Sequence, residues 1–230
     1  MKRALFTLNI NDYCPAIREI TYPLFKYYAG KIGAEFIEIT GRKFPEWPVV
    51  YEKLQIHQLG RKYDWSIFFD ADAMVHPECI DFTWLLPAGS VLHNAVDMAA
   101  VRFRYDEFFA KDGRNLGTTG WFSASHKDAI DFWRPTDQTV QEVLDCCRLT
   151  VGERNSGLMD DGHLVDDYVK SRNLARYGFP HTIVKELLPK VGLGEAEFFW
   201  HSYNITDAEK IQKMQETVRR WQVPKEIMNG

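Results

Sequence analysis

An α/β fold built on a mostly parallel sheet is what this chain predicts, and three observations predict it. Apolar β-compatible runs alternate with helical patterns as β-α-β-α-β up to residue 70, the signature of a wound sheet flanked by helices. Turn chemistry separates the runs, most plainly at Asn11-Asp12-Tyr13-Cys14-Pro15. A third apolar run, Trp65-Ser66-Ile67-Phe68-Phe69, ends abruptly in Asp70 and Asp72. In such sheets ligands sit beyond the carboxyl ends of the strands, and Asn9, Asn11 and Asp70 all fall at that edge.

The elements follow in order. Ala4 to Ile10 reads as the first strand, and Pro15 is placed to open a helix that runs to about Lys31. Ile17, Ile20, Tyr22, Leu24, Tyr27 and Tyr28 give that helix a broad apolar face, with Gly33 near its end. Glu35 to Thr40 alternates as a second strand. After a loop over Phe44 to Pro48, Val50 to Lys62 reads as a second helix feeding the strand that carries the carboxylates. Further strands are predicted at Met98 to Phe103 and Trp121 to Ala124, and helices near Gln138 to Leu149 and Gly162 to Arg172. Thr206-Asp207-Ala208-Glu209 is a capping-box pattern opening a last helix to about Trp221. No repeat or linker interrupts the chain, so residues 1–205 read as one domain and 206–230 as a helical extension packed on it.

Composition narrows the function classes. The 230 residues carry a net charge of −4, with 45% hydrophobic and 26% charged residues, ordinary for a soluble globular protein. That charge argues against nucleic-acid binding, and an anionic ligand would need a local lysine or a metal. Cys14, Cys79, Cys146 and Cys147 form no C-x-x-C pair, which suggests reduced thiols. The apolar run after Met1-Lys2-Arg3 ends by Asn9, short for a signal peptide, and no stretch reaches the length of a membrane span. The expectation is a cytoplasmic protein without a transmembrane segment, in which the Asn204-Ile205-Thr206 sequon stays unused.

Asp70 and Asp72 carry the chemistry. A carboxylate at the end of a core strand is costly to desolvate, and a divalent cation bearing a phosphate-rich ligand offsets that cost. Taken alone, the pair is also what a turn after a strand contains. Five other segments lie in order around it: Thr7 to Tyr13, Tyr51 to Leu59, Asn115 to Phe122, Met159 to Val165, and Phe198 to Tyr203. With them the chain resembles the nucleotide-sugar-dependent glycosyltransferases of the GT-A fold, and among these the glycogenin and lipopolysaccharide galactosyltransferase group.

The resemblance implies roles residue by residue. Leu8, Asn9, Asn11, Tyr13 and Asp70 become nucleotide contacts, with Tyr13 the stacking candidate. Lys53 is aimed at the diphosphate or donor sugar; by itself it would read as a solvated helix charge. Asn115 and Gly117 line the sugar pocket, where glycine admits close backbone approach. Asp160 binds sugar hydroxyls and Asp161 stands beside the anomeric carbon, although both also suit a helix N-terminus. His201 is the third protein ligand with Asp70 and Asp72, a set suited to Mn²⁺ or Mg²⁺. The chain departs from the group after His201, where Ser202-Tyr203-Asn204-Ile205 lacks the Gly and Lys-Pro residues that clasp the diphosphate.

The implied activity is metal-dependent transfer of a hexose or similar sugar from a nucleoside-diphosphate donor, a UDP-sugar being favoured. The acceptor is a hydroxyl on a glycan, a lipid-linked sugar or a protein, and the anomeric configuration is retained. Two alternatives remain at this point. One is a noncatalytic nucleotide- or sugar-binding module. The other is a Mg²⁺-dependent phosphohydrolase of the haloacid dehalogenase type, which carries Asp-x-Asp on its first strand rather than, as here, its third.

Overall fold

Arg3–Leu8 (β1) is buried along its whole length, as a strand covered on both faces must be. The computed structural model describes residues 1–97, 116–146, 165–190, 192, 198–202 and 205–229. In it β1 pairs in parallel with Ala34–Ile39 (β2) on one side and Trp65–Phe69 (β3) on the other. A short ribbon joins Met74–Val75 (β4) to Phe199–Trp200 (β8), apart from the main sheet. The main sheet takes in Val91–Asp97 (β5), Leu116–His126 (β6) and His181–Ile183 (β7), in the order β2-β1-β3-β6-β5-β7. β6 is antiparallel to both β3 and β5, while β5 and β7 are parallel, so one strand of six runs against the rest. The expected α/β class with a mostly parallel sheet is therefore the observed one.

Side-chain alternation sorts the core into two layers. Ala4, Phe6 and Phe68 face a cluster with Tyr51, Leu54, Trp133 and Tyr168. Leu5, Ile67 and Phe69 face the opposite cluster with Phe25, Tyr28, Phe82 and Phe122. Pro15–Lys31 (α1) covers that second face, with Pro15 opening the helix and Ile17, Leu24, Phe25 and Tyr28 fully buried.

The helix expected over Val50 to Lys62 is mostly of the tighter kind. It forms as 3₁₀ turns over Val49–Gln55 and Gly60–Lys62, with one α-turn, Ile56–Leu59 (α2), between them. The buried Glu52 carboxylate explains part of this, because it accepts from the Lys43 and Phe44 N–H groups and from Arg42, tying the segment to the preceding loop. In a 3₁₀ turn residues three apart eclipse, which sends both Tyr51 and Leu54 into the core.

Further along, the strand expected at 98–103 lies outside the described residues, and the strand found in that region is β5. The run expected at Trp121 to Ala124 is the middle of β6, eleven residues long. The two helices expected downstream appear as Val140–Cys146 (α3) and Val165–Tyr177 (α4), with 147–149 and 162–164 outside the described residues. Val184–Lys190 (α5) follows β7. Asp207–Arg220 (α6) opens on the expected capping box, Thr206 accepting from the Glu209 N–H while the Glu209 carboxylate accepts from the Thr206 N–H. Met214 is fully buried in the α1 layer, with Ile211, Val218 and Trp221 packed around it. Lys225–Met228 (α7) ends the fold. Among the described residues, no helix is long and apolar enough to cross a membrane.

Candidate active site at the carboxyl edge of the sheet

The β3 ladder runs one residue past the strand, since the Asp70 N–H donates to the Trp121 carbonyl at 2.9 Å. The chain then turns, the Ala73 N–H donating to the Asp70 carbonyl at 2.9 Å. Thr21 of α1 fixes the turn by donating its hydroxyl to the Ala71 carbonyl at 2.8 Å. Next, the β4–β8 register sets Met74 opposite Trp200, which carries His201 back to the turn. His201 Nε2 lies 3.7 Å from Asp72 Oδ1, and its ring stacks on Trp121 with planes 9° apart. Two β-pairings thus bring residues 70, 72 and 201 together.

Asp70, Asp72 and His201 each offer a ligand atom within 4.8 Å of the others, so the three can hold a metal ion. Their side chains are 24%, 15% and 14% exposed, so the site is partly open to solvent rather than sealed. Two carboxylate oxygens and an imidazole nitrogen suit a hard divalent cation with positions left for an outside ligand.

Ammonium groups balance the carboxylates. Lys53 is 3% exposed, with Nζ 3.0 Å from Asp70 Oδ1 and 3.4 Å from Asp166 Oδ2, and it donates to the Gly120 carbonyl. Burial works against its charge, but Asp166, Asp70 and Asp167 together hold its pKa above the usual lysine value. Lys170 Nζ sits 3.1 Å from Asp166 Oδ2 and 3.5 Å from Asp167 Oδ1, extending the buried network into the first turns of α4. Burial, with Asp166 beside it, pushes the Asp167 carboxyl up to about 7. The Asp70 carboxyl is likewise raised, chiefly by burial and against the pull of Lys53. On the other side Lys210 of α6 pairs with Asp72 Oδ2. Burial would raise Asp72, but His201 and Lys210 outweigh it and hold that carboxyl well below the usual range. The desolvation that the sequence assigns to a divalent cation is thus already met in part by two lysines.

Gly120 is what lets this network lie against β6. A Cβ there would come 3.0 Å from Lys53 Nζ and 3.2 Å from Asp167 Oδ1.

The β1 side of the edge carries the other expected residues. The Asn9 N–H donates to the Ile39 carbonyl and its side-chain amide to Glu38, while its buried Oδ1 has no hydrogen-bond partner among the described residues. Leu8 is buried at the end of β1. Asn11, Asp12 and Cys14 all have positive φ, at 57°, 54° and 24°, an unusual concentration of backbone strain in one loop. Tyr13, in the same loop, is 37% exposed. Its hydroxyl is held above the usual tyrosine range by burial and by the nearby charges of Asp72, Asp207 and Asp70.

Asn115, Asp160 and Asp161 lie outside the described residues. Gly117 lies in β6, paired with Val96 of β5. Four charged residues escaped the sequence reading: Asp166, Asp167, Lys170 and Lys210. A signal existed for the last, because Lys210, Met214 and Thr217 share one helix face and a lysine in such a row needs a buried partner.

No family model and no curated protein matches the chain. Among solved structures it is similar to a glycosyltransferase involved in the glycosylation of the major capsid of PBCV-1, with a TM-score of 0.48 and 13% identity over 93% of this chain and 99% of that one. It is also similar to a STIV protein, with a TM-score of 0.41 and 13% identity over 80% of this chain and 82% of that one. Likeness at this level is of outline alone and says nothing of donor, ion or stereochemistry.

Proposed function

We propose that the chain is a metal-dependent glycosyltransferase that moves a hexose or similar sugar from a nucleoside-diphosphate donor, UDP-sugars favoured, to a hydroxyl acceptor with retention. The observation that carries this reading is the meeting of Asp70, Asp72 and His201 at one sheet edge, with Lys53 behind Asp70. In this reading Asp70, Asp72 and His201 hold Mn²⁺ or Mg²⁺. A bound divalent cation supplies Lewis-acid neutralisation of the departing diphosphate.

The chain's own residues bind and orient. Lys53 keeps Asp70 in place and adds positive charge beneath the donor phosphates. Tyr13, partly exposed, offers its ring for the base to stack on, and Asn9 Oδ1, without a partner among the described residues, accepts from a base N–H. Leu8 and Asn11 complete the nucleotide side. Asn115, Gly117 and Asp160 contact the sugar, and Asp161 stabilises positive charge at the anomeric carbon or orients the acceptor hydroxyl. Residues 1–205 form the catalytic domain and 206–230 its extension. The partners are the donor and a glycan, lipid-linked sugar or protein acceptor, with no role for nucleic acid, and the setting is cytoplasmic.

A thermal-shift screen of UDP- and GDP-sugars with and without Mn²⁺ tests the donor, followed by product NMR for the anomeric configuration. Metal-dependent stabilisation by a UDP-sugar, with turnover to a retained product, is the expected result. Tight binding with no turnover on any acceptor would favour the noncatalytic module, and phosphate release from p-nitrophenyl phosphate would favour the phosphohydrolase.

A further inference from the structure

Lys210 is the fourth residue of α6 and lies in line with Met214 and Thr217 on the buried face. An ammonium in such a row is costly unless it is paired. Its partner is Asp72 Oδ2, while the other oxygen of the same carboxylate faces His201 at 3.7 Å. One carboxylate therefore serves both the metal triad and the carboxyl-terminal helix. The connection is short, only residues 202–206 lying between His201 and the start of α6, so the stretch that delivers the imidazole also delivers the lysine.

We propose that Lys210 is a built-in counter-ion that occupies Asp72 until a divalent cation arrives, so that α6 docking and metal binding compete for one carboxylate. The proposal rests on reading Asp70, Asp72 and His201 as a metal site. A divalent cation held by Asp72 repels an ammonium in contact with the same group. Lys210 has a flexible stem and can swing away, but α6 then loses the ion pair that ties it to the site. Met214 and the capping box hold the rest of the helix, so the metal loosens α6 without releasing it. Linkage makes the effect reciprocal: whatever factor Lys210 takes from metal affinity, the metal takes from the docking of α6.

The test uses the full chain with Mn²⁺ alone, its affinity read from the electron paramagnetic resonance signal of the free ion and α6 from amide hydrogen exchange. Lys210→Met binds Mn²⁺ about tenfold tighter than wild type, the order expected when one like charge leaves the site. Lys210→Arg keeps the wild-type affinity. In the wild type, saturating Mn²⁺ speeds exchange across the first turns of α6, a measurement that needs no variant and stands even if Lys210→Met fails to fold. In Lys210→Met the metal leaves α6 exchange unchanged. Equal or weaker Mn²⁺ binding by Lys210→Met, or slower α6 exchange in the metal-loaded wild type, overturns the competition while the metal site stands. Absence of Mn²⁺ binding from both proteins overturns the metal site as well.

Discussion

Replacing Lys53 with methionine removes a charge while keeping a side chain of similar length and bulk. Two buried or half-buried carboxylates lose a partner, Asp70 at 3.0 Å and Asp166 at 3.4 Å, along with the hydrogen bond to the Gly120 carbonyl. Asp166 keeps Lys170 at 3.1 Å, but among the described residues Asp70 keeps no lysine or arginine within ion-pair distance. Removing one member of a buried pair costs about 3–5 kcal/mol. The 24% exposure of Asp70 admits water and pulls the figure to the low end, about 3 kcal/mol. With a urea slope of about 1–3 kcal/mol per molar, the unfolding midpoint of metal-free Lys53→Met falls by roughly 1–3 M. Tryptophan fluorescence and far-UV circular dichroism followed together give midpoint and slope. Lys62→Met is the control, since Lys62 is exposed and only 3.9 Å from an exposed Glu35, and its midpoint stays put. A Lys53→Met midpoint indistinguishable from wild type at unchanged slope would refute the counter-ion role.

Gly120→Ala drives a methyl group against Lys53 and Asp167 and lowers stability by about 1–3 kcal/mol, read from the same urea curves; wild-type stability would show that the network has room to spare. Thr206→Ala removes the acceptor for the Glu209 N–H and costs about 1 kcal/mol, with faster amide exchange confined to the start of α6. Asp64 accepts from Lys127 and from the Lys2 N–H, and these hold its carboxyl down to about 2 against an ordinary 3.8. Because the folded value is the lower one, the stability it contributes is complete above 3.8 and is lost as pH falls through about 2. Asp64→Asn therefore flattens the acid limb of a melting-temperature profile in that window, and an unchanged limb would contradict the assignment.

The first third of the fold was legible because its punctuation is local: Pro15 opens α1, Gly33 takes the positive φ that follows it, and β1 and β3 are largely apolar, interrupted only by Arg3, Thr7 and Ser66. β6 was half legible, since Gly117, Thr118, Thr119 and Gly120 dilute the strand signal, Gly120 at the point where a side chain would press on the Lys53 network. β4, β7 and β8 have two or three residues each, too few for a period to register, yet the β4–β8 pairing is what delivers His201. Asp70 and Asp72 stood out because charge follows a core strand. Lys210 was only half announced: its row with Met214 and Thr217 marks a lysine on a buried face, but the partner it needs, Asp72, is 138 residues away. Asp166 and Asp167 were hidden by their position, since carboxylates in the first turn of a helix already have a reason to be there.

Donor turnover by wild type, Asp70→Asn and Asp72→Asn, measured on a UDP-sugar across a Mn²⁺ titration, bears most directly on the enzyme reading. The wild type should turn over only with the metal, and each variant should lose about a thousandfold in rate while retaining its fold by circular dichroism. Metal-independent turnover, or an Asp70→Asn protein as active as wild type, would contradict it.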